Sequence, residues 1–429
     1  MELVLKKVNR FKGNISVPGD KSISHRSLIL GSIAQGETRI YNFLDSLDCL
    51  KTLECMQALG AEIDIGKDNF IKIKGKGLYG LQEPKDMLDV GNSGTTIRLL
   101  TGLLGGQNFY SVLNGDNSIR RRPMKRVVEP LRLMRADIWG RENGQLTPLS
   151  IKGARLNPLR YTLPVASAQV KSALLLAGLY ATGETVIKEL LPTRDHTERM
   201  LEIMRADIKI SPPEIKIKGG KELRGTDIFI PGDISSAAYF IAAASILRDS
   251  QIIIKQVGVN PTRTGIIEIL KKMGAKIDIL NYQIKSNEPQ ADLMIEYSKL
   301  KGVEIKKENV PFLIDELSLI AVVATQAQGK TVVSGARELR VKETDRIKAI
   351  VSELKKMGAD IEEREDGFAV NGPTRLQGAV CESYNDHRSA MSLAVASLLA
   401  EGKTVIKNSE CIDISFPGFE KTLQNLINF

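Results

Sequence analysis

A strand-opening signature recurs along the 429 residues, at Gly36-Glu-Thr-Arg-Ile, Gly106-Gln-Asn-Phe-Tyr, Gly183-Glu-Thr-Val-Ile, Ser250-Gln-Ile-Ile-Ile, Gly329-Lys-Thr-Val-Val and Gly402-Lys-Thr-Val-Ile. An apolar, helix-like stretch precedes each signature. A second helical pattern follows it, often closing on a Gly-Ala-x-Ile-like strand. The period is roughly 70 to 80 residues, longer than a solenoid unit, so each copy is a supersecondary block of its own. The unusual residues gather at the start of the apolar stretches, so helix N-termini carry most of the chemistry.

The apolar stretches are Ser27 to Ala34, Thr96 to Leu104, Ser172 to Ala181, Ala237 to Leu247, Leu317 to Ala327 and Ala390 to Leu399. Small and apolar residues cover most of their faces, which predicts helices buried inside a domain. The second helices, such as Ile266 to Met273 and Ile347 to Met357, are amphipathic and belong at a surface or between sheets. Six blocks imply three plus three, each domain enclosing three buried helices within sheets. Val17-Pro-Gly-Asp-Lys-Ser and Ile230-Pro-Gly-Asp-Ile-Ser each end a strand and begin a buried helix with capping residues. They are expected to be the crossings between a domain of residues 19–230 and one of residues 1–18 with 231–429. The first strand, near residues 1–17, would complete the second domain's sheets.

Apolar content of 42% and a charged fraction of 26% are ordinary for a globular protein. The net charge of +9 is compatible with nucleic acid, a membrane surface or small anions as partners. With aromatics at only 5%, the stacking platforms of single-strand binders are missing. The apolar stretches are too short to span a bilayer, and the N-terminus has no signal-peptide apolar core. Cys49, Cys55, Cys381 and Cys411 show no CxxC spacing, so reduced, buried thiols in the cytoplasm are expected rather than a metal site.

A helix N-terminus offers unpaired N–H groups and partial positive charge. The six starts read Gly19-Asp-Lys-Ser-Ile-Ser-His-Arg26, Gly91-Asn-Ser-Gly-Thr-Thr-Ile-Arg98, Ala166-Ser-Ala-Gln-Val-Lys171, Gly232-Asp-Ile-Ser-Ser236, Phe312-Leu-Ile-Asp-Glu316 and Tyr384-Asn-Asp-His-Arg388. Parallel helices in two domains would present these starts to one cleft with a strongly positive field, suited to phosphates and carboxylates. Walker and Rossmann glycine patterns are both missing, which argues against nucleotide cofactors. For Ser22, Asn92 and Ser167 taken alone, helix capping is the simpler account. Lys21, His25 and Arg26 at one helix start would repel one another unless an anion is present. Arg346 and Arg388 have the competing reading of outward salt-bridge partners.

These same runs, with Arg122-Pro-Met, Ser167-Ala-Gln-Val-Lys-Ser and Arg340-Val-Lys-Glu-Thr-Asp-Arg, resemble the 5-enolpyruvylshikimate-3-phosphate synthase family over the whole length. The resemblance implies an α/β fold: two inside-out, barrel-like domains, each of three repeated βαβαββ-type units, with the active site in the interdomain cleft. It implies transfer of the enolpyruvyl group of phosphoenolpyruvate to the 5-hydroxyl of shikimate 3-phosphate. The route is addition then elimination through a tetrahedral ketal, with phosphate released and no metal or cofactor. Lys21, Asp315 and Glu343 would be catalytic. Phosphoenolpyruvate would be held by Lys21, Gly94, Arg122, Gln169, Arg346 and Arg388. Shikimate 3-phosphate would be held by Lys21, Ser22, Arg26, Ser167, Gln169, Arg194, Asp315 and Lys342. A cytoplasmic monomer with small-molecule substrates, and with neither nucleic acid nor membrane as partner, is the expectation.

Three features depart from the better-known subgroup. Glu338 stands where an asparagine is usual, so no ligand role is carried there. Ile414 stands in place of a C-terminal lysine, for which Lys421 is the candidate substitute. Arg194-Asp-His-Thr-Glu198, Ser167-Ala-Gln-Val-Lys171 and Asn260-Pro-Thr-Arg263 resemble the subgroup that includes glyphosate-tolerant members. Gly94 nevertheless leaves room for glyphosate, so sensitivity is open.

Two rival readings fit the residues less well. The cell-wall enolpyruvyl transferase acting on UDP-N-acetylglucosamine usually carries a cysteine acid before an Arg-Pro, and Asn114 to Pro123 contains none. A non-catalytic RNA binder would show a continuous basic stripe with interleaved aromatics, and Asp315 and Glu343 argue against it.

Overall fold

The computed structural model describes residues 1–427; Asn428 and Phe429, the end of the 231–429 span, lie outside the described residues. The chain divides into two compact units. One comprises Met1–Pro18, Pro231–Ile284 and the chain from Pro289 onward; the other comprises Gly19–Ile230 and the four residues Lys285–Glu288. Each has its own hydrophobic core.

The Gly19–Ile230 unit holds three sheets built to one plan. In the first, Leu223–Arg224 runs parallel to Ala34–Tyr41, which pairs antiparallel with Ile71–Lys76, and that strand with Glu62–Ile65. Leu88–Asp89, Tyr110–Asn114, Leu146–Lys152 and Asp137–Gly140 repeat the order and the senses. So do Arg160–Thr162, Glu184–Lys188, Glu214–Lys218 and Asp207–Ser211. The strands bury alternate residues. Thr38 and Ile40 face Ile73 and Ile71 on the covered side, while Glu37 and Arg39 face Lys74 and Lys72 on the other. That alternation is what a sheet with one solvated face requires.

The other unit repeats the plan with a variation. Glu304–Ile305, Gly329–Val333, Gly367–Gly372 and Asp360–Arg364 follow it fully. A second sheet has the order Lys276–Lys285, Glu288–Glu296, Gln251–Gly258 and Lys12–Ser16, the last pair being parallel. The third has only three strands, with Glu2–Lys6 antiparallel to Lys403–Lys407 and Val380–Glu382 parallel to it. The N-terminal segment is therefore two strands serving two sheets, not the single strand expected from the sequence pattern.

Each unit encloses three helices: Lys21–Ser32, Gly94–Gly105 and Ala168–Gly178 in one, and Ile234–Ile246, Leu317–Ala324 and His387–Ser397 in the other. Every residue of Ile234–Ile246 and of His387–Ser397 is buried, which explains their lack of a polar face. Gly102 makes one of these contacts possible, since a Cβ there would stand 2.2 Å from the Ala173 carbonyl oxygen of the neighbouring helix. The amphipathic helices fall at Gly265–Met273 and Arg346–Lys356. No helix among the described residues is long and apolar enough to cross a membrane.

Candidate functional site

In the Gly19–Ile230 unit, Lys21 opens its helix, with Asp20 as N-cap accepting from the Ile23 amide. The Lys21 ammonium donates to Asp48 Oδ2 at 3.0 Å, and both side chains are mostly buried. Arg26, one turn on, donates through Nε to Thr197 Oγ1 at 2.6 Å, through Nη2 to Ser172 Oγ at 2.8 Å and through Nη1 to the Ser22 carbonyl at 2.9 Å. Burial pulls the Arg26 pKa down to about 10 against the opposing field of Glu198.

His25 is completely buried, its Nδ1 hydrogen-bonded to Thr52 Oγ1 at 2.6 Å. Burial first, then the neighbouring Lys21 and Arg26, hold its pKa well below the usual histidine value, so the ring is neutral at pH 7. The repulsion expected among Lys21, His25 and Arg26 is thus relieved by the protein itself, through an ion pair, hydroxyl acceptors and a deprotonated imidazole. No anion has to supply the remedy.

The second helix start is capped by Ser93, which accepts from the Thr96 amide. Asn92 is not a cap; its Oδ1 accepts from Arg122 Nη2 at 3.0 Å, and its amide donates to Asp116. Gly94 begins the helix, and a Cβ there would lie 2.8 Å from Arg122 Nη1. Ser167 caps the third helix, accepting from the Val170 amide at 3.4 Å. Gln169 bridges back to the second helix, donating to Thr95 Oγ1 at 3.1 Å and accepting from Arg98 Nη1. Gly94 and Gln169 share Arg98, which donates to both, and Arg122 reaches the same helix start through Asn92. Arg194 stands half-buried in the irregular segment before the helix His196–Ile203.

In the other unit, Asp315, Glu343, Arg346 and Arg388 converge. Arg346 is 2% exposed and donates to Asp386 Oδ2 at 2.7 Å, Glu343 Oε2 at 2.6 Å and Asp315 Oδ1 at 3.3 Å. Arg388 reaches the Asp315 carbonyl at 3.3 Å, Asp315 Oδ2 at 3.6 Å and Glu316 Oε1 at 3.4 Å. Both arginines are buried, which removes the outward salt-bridge reading. Burial opposes their charge, but the surrounding carboxylates outweigh it and raise both pKa values. Lys342 is half-buried immediately after the 3-10 turn Arg337–Val341. Lys421 is exposed and lines a hollow with Met1, Leu3, Glu410 and Gln424 that contains none of the other candidate residues.

Asp315, Glu316, Glu343 and Asp386 surround two arginines, so the cationic groups are already compensated. The guanidiniums are held as preorganised donors of the kind that pair with carboxylates and phosphates, and carboxylates, the usual groups of acid–base chemistry, stand beside them.

Asp48, Arg98, Glu316 and Asp386 are site-supporting residues to which sequence reasoning assigned no role. Arg98, Glu316 and Asp386 lie inside the helix starts quoted above. Asp48 has a weak local sign, an acidic residue in a helix first turn, but nothing local marks it as a partner of Lys21.

Helix starts that hold arginines and lysines among carboxylates, on repeated α/β blocks, are an arrangement suited to an enzyme that handles anions. The family model described as EPSP synthase (3-phosphoshikimate 1-carboxyvinyltransferase) matches residues 5–423. The 3-phosphoshikimate 1-carboxyvinyltransferase of Desulforamulus reducens is 50% identical over 100% of both chains. That of Geobacter sp. strain M21 is 53% identical over 97% of each. The solved EPSP synthase of Acinetobacter baumannii superposes with a TM-score of 0.89 at 44% identity, covering 99% of this chain and 98% of that one. The chain belongs to the EPSP synthase family.

Proposed function

We propose that this protein is a 3-phosphoshikimate 1-carboxyvinyltransferase. It moves the enolpyruvyl group of phosphoenolpyruvate to the 5-hydroxyl of shikimate 3-phosphate in the shikimate pathway. Full-length relatives at about half identity carry that name. The observation that carries the reading at the level of residues is the buried Arg346–Arg388 pair with Asp315 and Glu343 against it.

In this reading Asp315 takes the proton of the 5-hydroxyl as its oxygen bonds to C2 of phosphoenolpyruvate. The methylene carbon gains a proton, with Lys21 and Glu343 serving that transfer, and a tetrahedral ketal results. Glu343 then removes a proton from the new methyl group as the C2–phosphate oxygen bond breaks and phosphate leaves. Arg122, Arg346, Arg388, Gln169 and the Gly94 backbone hold phosphoenolpyruvate. Ser22, Arg26, Ser167, Gln169, Arg194 and Lys342 hold shikimate 3-phosphate. Arg26 is mostly committed to protein hydroxyls, so its share is to order the site as much as to bind.

The two clusters serve one reaction in this proposal, the domain of residues 19–230 supplying most contacts to shikimate 3-phosphate. The protein works as a cytoplasmic monomer without cofactor, nucleic acid or membrane partner. The proposal extends to the subgroup that includes glyphosate-tolerant members, on the likeness of the Arg194–Glu198, Ser167–Lys171 and Asn260–Arg263 runs.

The test is phosphate release from phosphoenolpyruvate with and without shikimate 3-phosphate, repeated with glyphosate. Release dependent on shikimate 3-phosphate is expected, together with loss of phosphoenolpyruvate turnover in Lys21→Met. Release independent of the second substrate, or unaltered kinetics in Lys21→Met, would overturn the reading. The glyphosate arm decides subgroup behaviour separately.

A further inference from the structure

Lys171 is completely buried, although nothing in the proposed reaction uses it. Its ammonium donates to Glu198 Oε1 at 2.6 Å and Glu189 Oε2 at 2.9 Å, and reaches the Thr193 carbonyl at 3.4 Å. Glu189 in turn accepts from Thr193 Oγ1 at 2.5 Å. Ser172, the next residue, accepts from Arg26 and is hydrogen-bonded at 2.7 Å to Thr197.

The first turn of the helix Ala168–Gly178 is thereby clamped to the segment 189–198 at two successive residues. That turn begins at Ser167 and carries Gln169; the segment carries Arg194, directly after Thr193. Burial works against the charge on Lys171, yet Glu198 and Glu189 hold its pKa above the ordinary value. Glu198 is pushed up by its own burial. Its Oε2 has no hydrogen-bond partner.

Buried ion pairs give little net stability, because desolvation offsets the attraction; apolar residues of equal volume often serve as well. A charged triad with an unsatisfied oxygen is an uneconomical way to fill a core. It does impose a fixed distance and direction, which apolar packing does not.

We infer that Lys171 is a positioning residue for the phosphate of shikimate 3-phosphate. It locks the Thr193–Arg194 backbone against the Ser167–Gln169 helix start through Glu189 and Glu198. The inference rests on the reading of Ser167, Gln169 and Arg194 as ligands of that substrate, and adds the device that sets their spacing. A small displacement of a binding group costs much of its contribution.

The experiment compares binding of shikimate 3-phosphate with binding of shikimate, which lacks the phosphate, in the unaltered protein, Lys171→Met and Thr193→Val. In Lys171→Met the preference for the phosphorylated ligand should fall by roughly 10- to 100-fold. KM for shikimate 3-phosphate should rise while KM for phosphoenolpyruvate, measured at saturating shikimate 3-phosphate, stays unchanged. Thr193→Val removes only the hydroxyl tie to Glu189, so it carries the test if Lys171→Met does not fold; a smaller loss of the same preference is expected. A lowered melting temperature with the phosphate preference intact in whichever variants fold would make the triad purely structural and overturn the inference. Failure of the unaltered protein to bind shikimate 3-phosphate would remove the underlying ligand reading, and the inference with it.

Discussion

Arg346 donates through Nε to Asp386 Oδ2 at 2.7 Å, with both side chains buried. The other oxygen of the same carboxylate accepts from the Arg388 amide at 2.8 Å and so caps the helix that carries Arg388. One buried aspartate therefore fixes two arginines, one through its side chain and the other through its helix.

Asp386→Asn separates those duties, because asparagine is a competent N-cap but carries no charge. Arg346 would keep Glu343 and Asp315, so a loss near the lower end for a broken buried pair is expected, about 3 kcal/mol. Thermal or urea unfolding measures it. KM for phosphoenolpyruvate should rise as well, and unchanged stability and KM would contradict the role.

Asp315 pairs with Arg346 and Arg388, but each arginine has other carboxylate partners. Asp315→Ala should therefore fold. Turnover should drop by about 10²-fold or more, the scale of general acid–base catalysis, with shikimate 3-phosphate binding largely kept. Normal turnover would dismiss the assignment.

At Gly94 an added Cβ would stand 2.8 Å from Arg122 Nη1, the far end of a flexible side chain. Gly94→Ala should fold with a nearly unchanged melting temperature while Arg122 swings away. KM for phosphoenolpyruvate is expected to rise by about tenfold, equivalent to about 1.4 kcal/mol. Steady-state kinetics with each substrate varied in turn checks whether the change is confined to phosphoenolpyruvate.

His25 is held neutral by burial and by the cations beside it. Its folded pKa is below its unfolded value of about 6.5, so below that pH the unfolded chain binds a proton the folded one refuses. Stability is complete above about pH 6.5 and falls as pH drops, by up to about 1.4 kcal/mol per pH unit from this group. Urea unfolding between pH 7 and pH 5 should show a shallower slope in His25→Asn. An identical slope would mean that another group sets the acid limb.

The four cysteines are buried and free. Burial pushes the Cys55 and Cys381 thiols up to about 12, Cys411 to about 11 and Cys49 further still. Ellman's reagent at pH 7.5 should label the native protein very slowly and react with all four thiols once denaturant is added. Rapid labelling of the native protein would contradict that burial.

Much of the fold was legible because it is periodic. Apolar stretches without a polar face announced the buried helices, and the strand signatures after them correspond to strands such as Glu184–Lys188 and Lys403–Lys407. The two-strand use of residues 2–16 was not legible. Which sheet a short strand joins depends on partners hundreds of residues away: Lys403–Lys407 for one, Gln251–Gly258 for the other.

Local chemistry by itself determined which residues open the buried helices: Lys21, Gly94, Asp386 and Arg388 are where the sequence places them, because capping and helix periodicity act over a few residues. Only the tertiary structure decided their charge and aim. Asp48 meets Lys21, Thr197 meets Arg26 and Asp386 meets Arg346 across long loops of chain. Burial then sets whether His25 is charged. Electrostatic energy depends on distance and on solvent exclusion, and neither quantity exists until the chain has folded.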